Sequence, residues 1–140
     1  MRVTGTSPRG ALWRLGVERP VPGSAPGTDL VSFLEVTNRA VATSGNYRNA
    51  YKIDGLEVVH TLDPRIGRPV ETPIASVTVV APDCVLADGW ATALMVLGTA
   101  GLERVERAPD VEALLLSFGS GGALTVDQTS GMGAFLSDGM

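Results

Sequence analysis

The sequence has a single cysteine, Cys84, and a single histidine, His60, in 140 residues. A lone cysteine excludes an intramolecular disulfide, and with no second cysteine or histidine cluster beside it the usual zinc-ligand spacing is absent. Cys84 therefore reads as a small core hydrophobe, since free cysteine is among the most buried residue types. Basic charge is scarce as well. Eleven Lys plus Arg stand against 15 Asp plus Glu, a net charge of -4, which provides no positive field for nucleic acid. No apolar run approaches the roughly 20 residues of a membrane helix. Met1-Arg2-Val3-Thr4-Gly5 lacks the apolar stretch of a signal peptide. As written, the chain reads as soluble and cytoplasmic, without an export signal or transmembrane segment of its own.

Apolar residues, by contrast, are plentiful at 44%, with 19% charged. A chain of this length buries roughly two thirds of the surface it exposes when unfolded, so residues 1–140 read as one domain. Trp13, Leu15 and Val17 alternate within Leu12–Glu18, the period of a half-buried strand, and Leu30–Thr37 alternates more loosely. Between them Pro20, Pro22, Gly23, Pro26 and Gly27 impose an exposed loop. Asp54-Gly55 within Tyr51–His60 predicts a hairpin with a type I′ turn. Asp63-Pro64 and Gly67-Arg68-Pro69 break regular structure, making His60–Val70 a rigid polar loop, a common place for site residues. Ala75–Ala81 is a β-branched strand. Leu114–Phe118 and Ala123–Val126 flank Gly119-Ser120-Gly121-Gly122 as a second hairpin. Strands grouped around one helix predict an α+β class, a mainly antiparallel sheet packed on a buried helix.

That helix is the stretch Cys84–Gly98, with Pro82-Asp83 as stop and N-cap and Gly98 as its C-terminal signal. It is apolar on nearly every side, which predicts burial. Only Asp88 and Thr92 interrupt it, four positions apart. A buried carboxylate needs a partner. Residues at i and i+4 share a helix face, so the two oxygens can converge on one point and suit a hard cation such as magnesium. The alternative is a local hydrogen bond to a neighbouring loop.

Three blocks, taken in order, resemble the C-terminal half of the FAD:protein FMN transferases, the ApbE family. They are Ala42-Thr43-Ser44-Gly45-Asn46-Tyr47-Arg48, the run from His60-Thr61-Leu62-Asp63-Pro64-Arg65 to Val70, and Ser76 to Leu94 with its Ala87-Asp88-Gly89-Trp90-Ala91-Thr92 core. The likeness extends from Trp13 to about Leu97. It implies magnesium-dependent transfer of FMN from FAD to a threonine hydroxyl of an acceptor flavoprotein, with release of AMP. It also implies that Asp88 and Thr92 ligate the metal, and that His60 lies at the flavin nucleotide, where it accepts the threonine proton or hydrogen-bonds the diphosphate. Thr61 and Leu62 are placed on the flavin side of the same site, and Ser44, in a Thr43-Ser44-Gly45 turn, is a further contact. Arg48 and Arg65 fit phosphate contacts or surface ion pairs equally. Asp63 reads as the cap of its turn and Trp90 as core.

Ile66 stands where the family usually has a hydroxyl residue, and Gly89 where it usually has alanine, the better helix former by about 1 kcal/mol. The larger departure is the family's N-terminal half, with its Gly-rich FAD-gripping segment, which has no counterpart here. The chain should then show an uncovered sheet edge or apolar face, and self-associate or pair with such a half. Related enzymes commonly act in the periplasm or anchored to a membrane. Two other functions remain open: a non-catalytic fragment serving as a binding or interaction module, and hydrolysis of FAD to AMP and FMN.

Overall fold

A strand that is apolar or β-branched at almost every position is stable only when both of its faces are covered. Ile74–Ala81 is such a strand, and it lies at the centre of the fold with all eight residues buried. The computed structural model describes residues 1–47, 50–53, 56–119 and 121–137. In chain order the strands are β1 (Arg2–Val3), β2 (Trp13–Glu18), β3 (Leu30–Val36), β4 (Arg39–Gly45), β5 (Ala50–Ile53), β6 (Leu56–Val59), β7 (Leu62–Asp63), β8 (Arg68–Pro69), β9 (Ile74–Ala81), β10 (Glu112–Phe118), β11 (Leu124–Gln128) and β12 (Leu136–Ser137). The helices are α1 (Cys84–Leu97) and the single-turn α2 (Leu102–Val105). A five-stranded antiparallel sheet runs β1-β4-β9-β10-β11, and a three-stranded one runs β12-β3-β2.

One face of the large sheet carries α1. Val77, Val79, Ala81, Ala113 and Leu115 meet Ala87, Ala91, Leu94 and Met95 of the helix there. The other face carries the small sheet, where Val41, Val80, Leu114 and Leu116 meet Val17, Leu34 and Val36. Alternate residues of β10 thus serve different cores, as a period of two requires. The α+β class and the antiparallel sheet packed on a helix are what the sequence predicts. The second apolar layer is an addition to it.

Several elements follow directly from local chemistry. Asp83 is extended and accepts a hydrogen bond from the Leu86 amide, capping α1. Gly98 ends it at φ 70, its amide donating to the Leu94 carbonyl. β5 and β6 pair with Ile53 opposite Leu56, while the predicted Asp54-Gly55 turn itself lies outside the described residues. β10 and β11 form the predicted second hairpin, Phe118 opposite Leu124.

Three expectations are corrected. Thr43-Ser44-Gly45 is no turn but the end of β4, paired with Thr78, Val77 and Ser76 of β9. Its small side chains hide the alternation that marks a strand, and ladder pairing rather than propensity makes it one. Cys84 is exposed: it shares a row with Ala87 and Ala91, but as the first residue of α1 it lies at the end of the helix and is left uncovered. Nor is α1 buried all round: Val85 and Leu86 are 82% and 41% exposed, and Asp88 is exposed. Burial therefore gives Asp88 no need of a partner, and its case as a ligand rests on geometry alone.

Asp83→Ala should lower stability by about 1 kcal/mol, the usual cost of a lost N-cap. Leu115→Ala, in the sealed core under α1, should cost about 2–5 kcal/mol. Urea unfolding at an unchanged m-value checks both.

Candidate functional site

The rotation of α1 is set by the side it buries. Ala87, Ala91, Leu94 and Met95 face the sheet, which turns Asp88 and Thr92 to one flank, over the end of β4. Ser44 shares the α1-facing side of β4 with Ala40 and Ala42. Its Oγ lies 3.4 Å from Thr92 Oγ1, at the edge of hydrogen-bond distance. His60 closes the group from the segment after β6. Thr43, Ser44, Gly45, Tyr47, His60, Asp88 and Thr92 together line one polar, solvent-open cavity of about 460 Å³. The structure thus brings Ser44, His60, Asp88 and Thr92, from three separate segments, to a single place.

The other predicted residues fall differently. Thr61 is buried and holds the loop, its carbonyl accepting from the Val70 amide at 2.9 Å. Leu62, beyond the cavity wall, is 57% exposed. Asp63 is the predicted turn cap: buried, it accepts from the Arg65 amide and Nε at 2.9 Å each and from Nη2 at 2.5 Å. Side-chain and then backbone hydrogen bonds from Arg65 hold its carboxyl below the ordinary value, and the same pairing raises Arg65. Of the two roles open to Arg65, the ion pair is the one formed. Ile66 sits on the outside of this turn, 65% exposed. Trp90 packs, half-buried, against the core as expected. Arg48 lies outside the described residues.

Sequence reading did not single out Tyr47 or Glu18. Tyr47 is a wall of the polar cavity and also of an adjoining apolar one of about 370 Å³ lined by Pro20, Val59, Val70, Ile74 and Phe118 among others. Its hydroxyl donates to Glu18 Oε2 at 2.9 Å, and Glu18 Oε1 accepts from the Gly27 amide at 2.7 Å. The carboxylate therefore ties the Pro-rich loop to the cavity wall. No local pattern announces a contact across 29 residues.

The donors on the cavity wall are a carboxylate and hydroxyls with one imidazole. Among the described residues no three His, Cys, Asp or Glu side chains cluster as a metal cage. Such a set fits a hard cation that takes most of its ligands from phosphate and water, the habit of magnesium, with Asp88 and Thr92 as the protein's share.

Fold and cavity define an α+β protein with an open, oxygen-lined site beside a helix. The sequence profile of the ApbE family matches residues 1–115, and the chain belongs to that family. It is 37% identical over 112 residues to the FAD:protein FMN transferase of Salmonella typhimurium and 34% identical over 113 to that of Escherichia coli, covering 80% and 81% of this chain. Each match takes in 31% of the relative, so the chain spans about a third of those proteins. The flavin transferase ApbE of Vibrio cholerae superposes on 96% of this chain with a TM-score of 0.77 at 32% identity, using 41% of its own length. The Pseudomonas stutzeri flavinyl transferase does so over 99% with 0.74 at 34%, using 42%.

Because the folded-state value for Asp63 is depressed, its stabilising contribution is present above the ordinary carboxylate value of about 3.9 and is lost as pH falls through the lower folded value. The Arg65 Nε–H resonance should titrate with its midpoint below the ordinary carboxylate value, and Asp63→Asn should abolish the titration. A midpoint at or above the ordinary value would contradict the pairing.

Proposed function

We propose that this chain carries the metal-binding and histidine portion of an FAD:protein FMN transferase, corresponding to the C-terminal half of the family's fold, and that it moves FMN from FAD to a threonine hydroxyl of an acceptor protein. The convergence of Asp88, Thr92, Ser44 and His60 on one cavity carries the reading. A helix flank and a strand end supply oxygens, and the loop supplies the one group suited to proton transfer near neutral pH.

In the proposed reaction the acceptor hydroxyl oxygen bonds to the phosphorus on the flavin side of the diphosphate. The bridging P–O bond breaks, AMP leaves with the electron pair, and the hydroxyl proton passes to His60. Asp88 and Thr92 would hold magnesium, which when bound supplies charge neutralisation at the diphosphate oxygens. Ser44 stands beside Thr92 to orient it or to meet a phosphate oxygen. His60 is exposed, so an incoming threonine can reach it; Leu62, exposed beyond the cavity wall, would meet the flavin only past its rim, and Thr61 holds the loop rather than the ligand.

A second reading has its own support, since the chain spans about a third of its relatives and its cavity is open. In that reading it is a non-catalytic module that keeps the fold and binds metal or nucleotide. Incubation with FAD, magnesium and an acceptor, followed by intact mass, separates the two. Transfer should add the mass of FMN less one water to the acceptor, and free FMN and AMP would instead indicate hydrolysis. An acceptor flavinylated by the Vibrio cholerae relative but left at its original mass by this chain would establish the module reading. In an active preparation, Asp88→Asn should cost roughly 100-fold or more, as for other electrostatic groups at a reacting centre. His60→Gln should cost about 100-fold to 10,000-fold, the range for lost general-base catalysis.

A further inference from the structure

The apolar cavity beside the candidate site has no role in the reaction proposed above, yet it is built onto that site. Tyr47 is a wall of both spaces. Val59, the last residue of β6, lines the apolar space, and His60, next in the chain, lines the polar one. His60 therefore stands at the seam. At about 370 Å³ the apolar space is of a size that holds a ligand. Its walls are set in advance. Pro20, Pro22 and Pro73 bring fixed backbone torsions. The Tyr47 ring is held at two points: its hydroxyl donates to Glu18, and its edge lies over Gly45, where a Cβ would come within 2.8 Å of Cε1 and 3.1 Å of Cδ1. A side chain at 45 would push the ring off the strand end, so glycine there keeps the seam in place.

We infer that the apolar cavity is the subsite for the acceptor polypeptide: it receives the side chains flanking the target threonine while the threonine hydroxyl reaches His60. For its occupant the inference rests on the transfer reading. The oxygens suited to magnesium and diphosphate, on Asp88, Thr92 and Ser44, line only the polar side of Tyr47. The edge of a flavin ring is rich in carbonyl and nitrogen acceptors, and the apolar wall answers them poorly: the Tyr47 hydroxyl is donated to Glu18, and Glu71, the charged residue of the lining, brings only acceptors. Glu71 also repels any phosphate brought close. A polypeptide meets neither objection. Successive residues of an extended chain are about 3.3 Å apart, so a threonine held at the seam carries its neighbours onto the apolar walls within one or two residues. Burying those neighbours lets the site tell one threonine from another, since a hydroxyl alone carries no sequence information.

The test titrates this chain, without FAD or magnesium, into a labelled short peptide that spans the threonine of an acceptor flavinylated by the Vibrio cholerae relative. Fluorescence anisotropy reads the binding, and amide shifts of the isotope-labelled chain locate it. The shifts should centre on Val59, Val70, Ala75 and Phe118. Val70→Glu, which puts a charge on a half-buried wall position, should weaken binding about tenfold or more, and Val70→Ile should retain it. Changing the residues that flank the peptide threonine to aspartate should weaken binding to the unaltered chain, a result that needs no variant protein. The subsite is overturned by absence of binding, by shifts confined to other surfaces, or by equal affinity for Val70→Glu at an unchanged melting temperature. Displacement of the peptide by FMN, with shifts at the same four residues, would overturn it too and assign the cavity to the flavin ring. The two readings fail separately. Peptide bound here by a chain that transfers nothing leaves the subsite standing and removes the transfer, whereas transfer to the intact acceptor with no peptide shift at this cavity removes the subsite alone.

Discussion

The rotation of α1 about its own axis is the constraint on which the rest of the site depends. Two alanines, Ala87 and Ala91, let the helix sit close on β4 and β9, and Leu94 and Met95 anchor its second half, all four fully buried. Burying Leu94 and Met95 contributes about 2–3 kcal/mol each, far more than any exposed polar contact on the helix could return. The apolar side therefore dictates where the polar flank goes. Asp88 and Thr92 follow, one turn apart, over the strand end that carries Ser44.

The same logic accounts for the character of the cavity. Its donors come from a helix flank, a strand end and a segment following a hairpin, each held by backbone pairing or core packing rather than by contacts among the donors. The nearest such contact, Ser44 to Thr92, is 3.4 Å. Tyr47, fixed through Glu18, is the exception. It divides a polar space from an apolar one. These features support the proposed transfer.

Much of this was legible in the residues. The Asp83 cap, the Gly98 stop, both hairpins and the Asp63 turn are local events, each decided within a few residues by hydrogen bonding or backbone freedom. The blocks around His60, Asp88 and Thr92 carried the family likeness, and the family profile agrees over residues 1–115. Less local features escaped. The end of β4 was read as a turn because Thr43-Ser44-Gly45 matches a turn of the family and has no large alternating side chains, and it is a strand because β4 lies between β1 and β9. Cys84 and the outer face of α1 looked buried because apolarity reports what a residue favours, not whether a partner is present to cover it.

The sequence alone determined the class of fold, the ends of the helix, and the i, i+4 spacing that puts Asp88 and Thr92 on one flank, since these depend on chemistry within one or two turns of chain. Only the tertiary structure decided which strand end meets that pair, that Glu18 holds Tyr47, and that one side of α1 is left open. Those outcomes are set by contacts between segments 28 to 48 residues apart, whose register follows from how two apolar layers close on β9. No local pattern encodes such a register, because it is the sum of packing over the whole sheet.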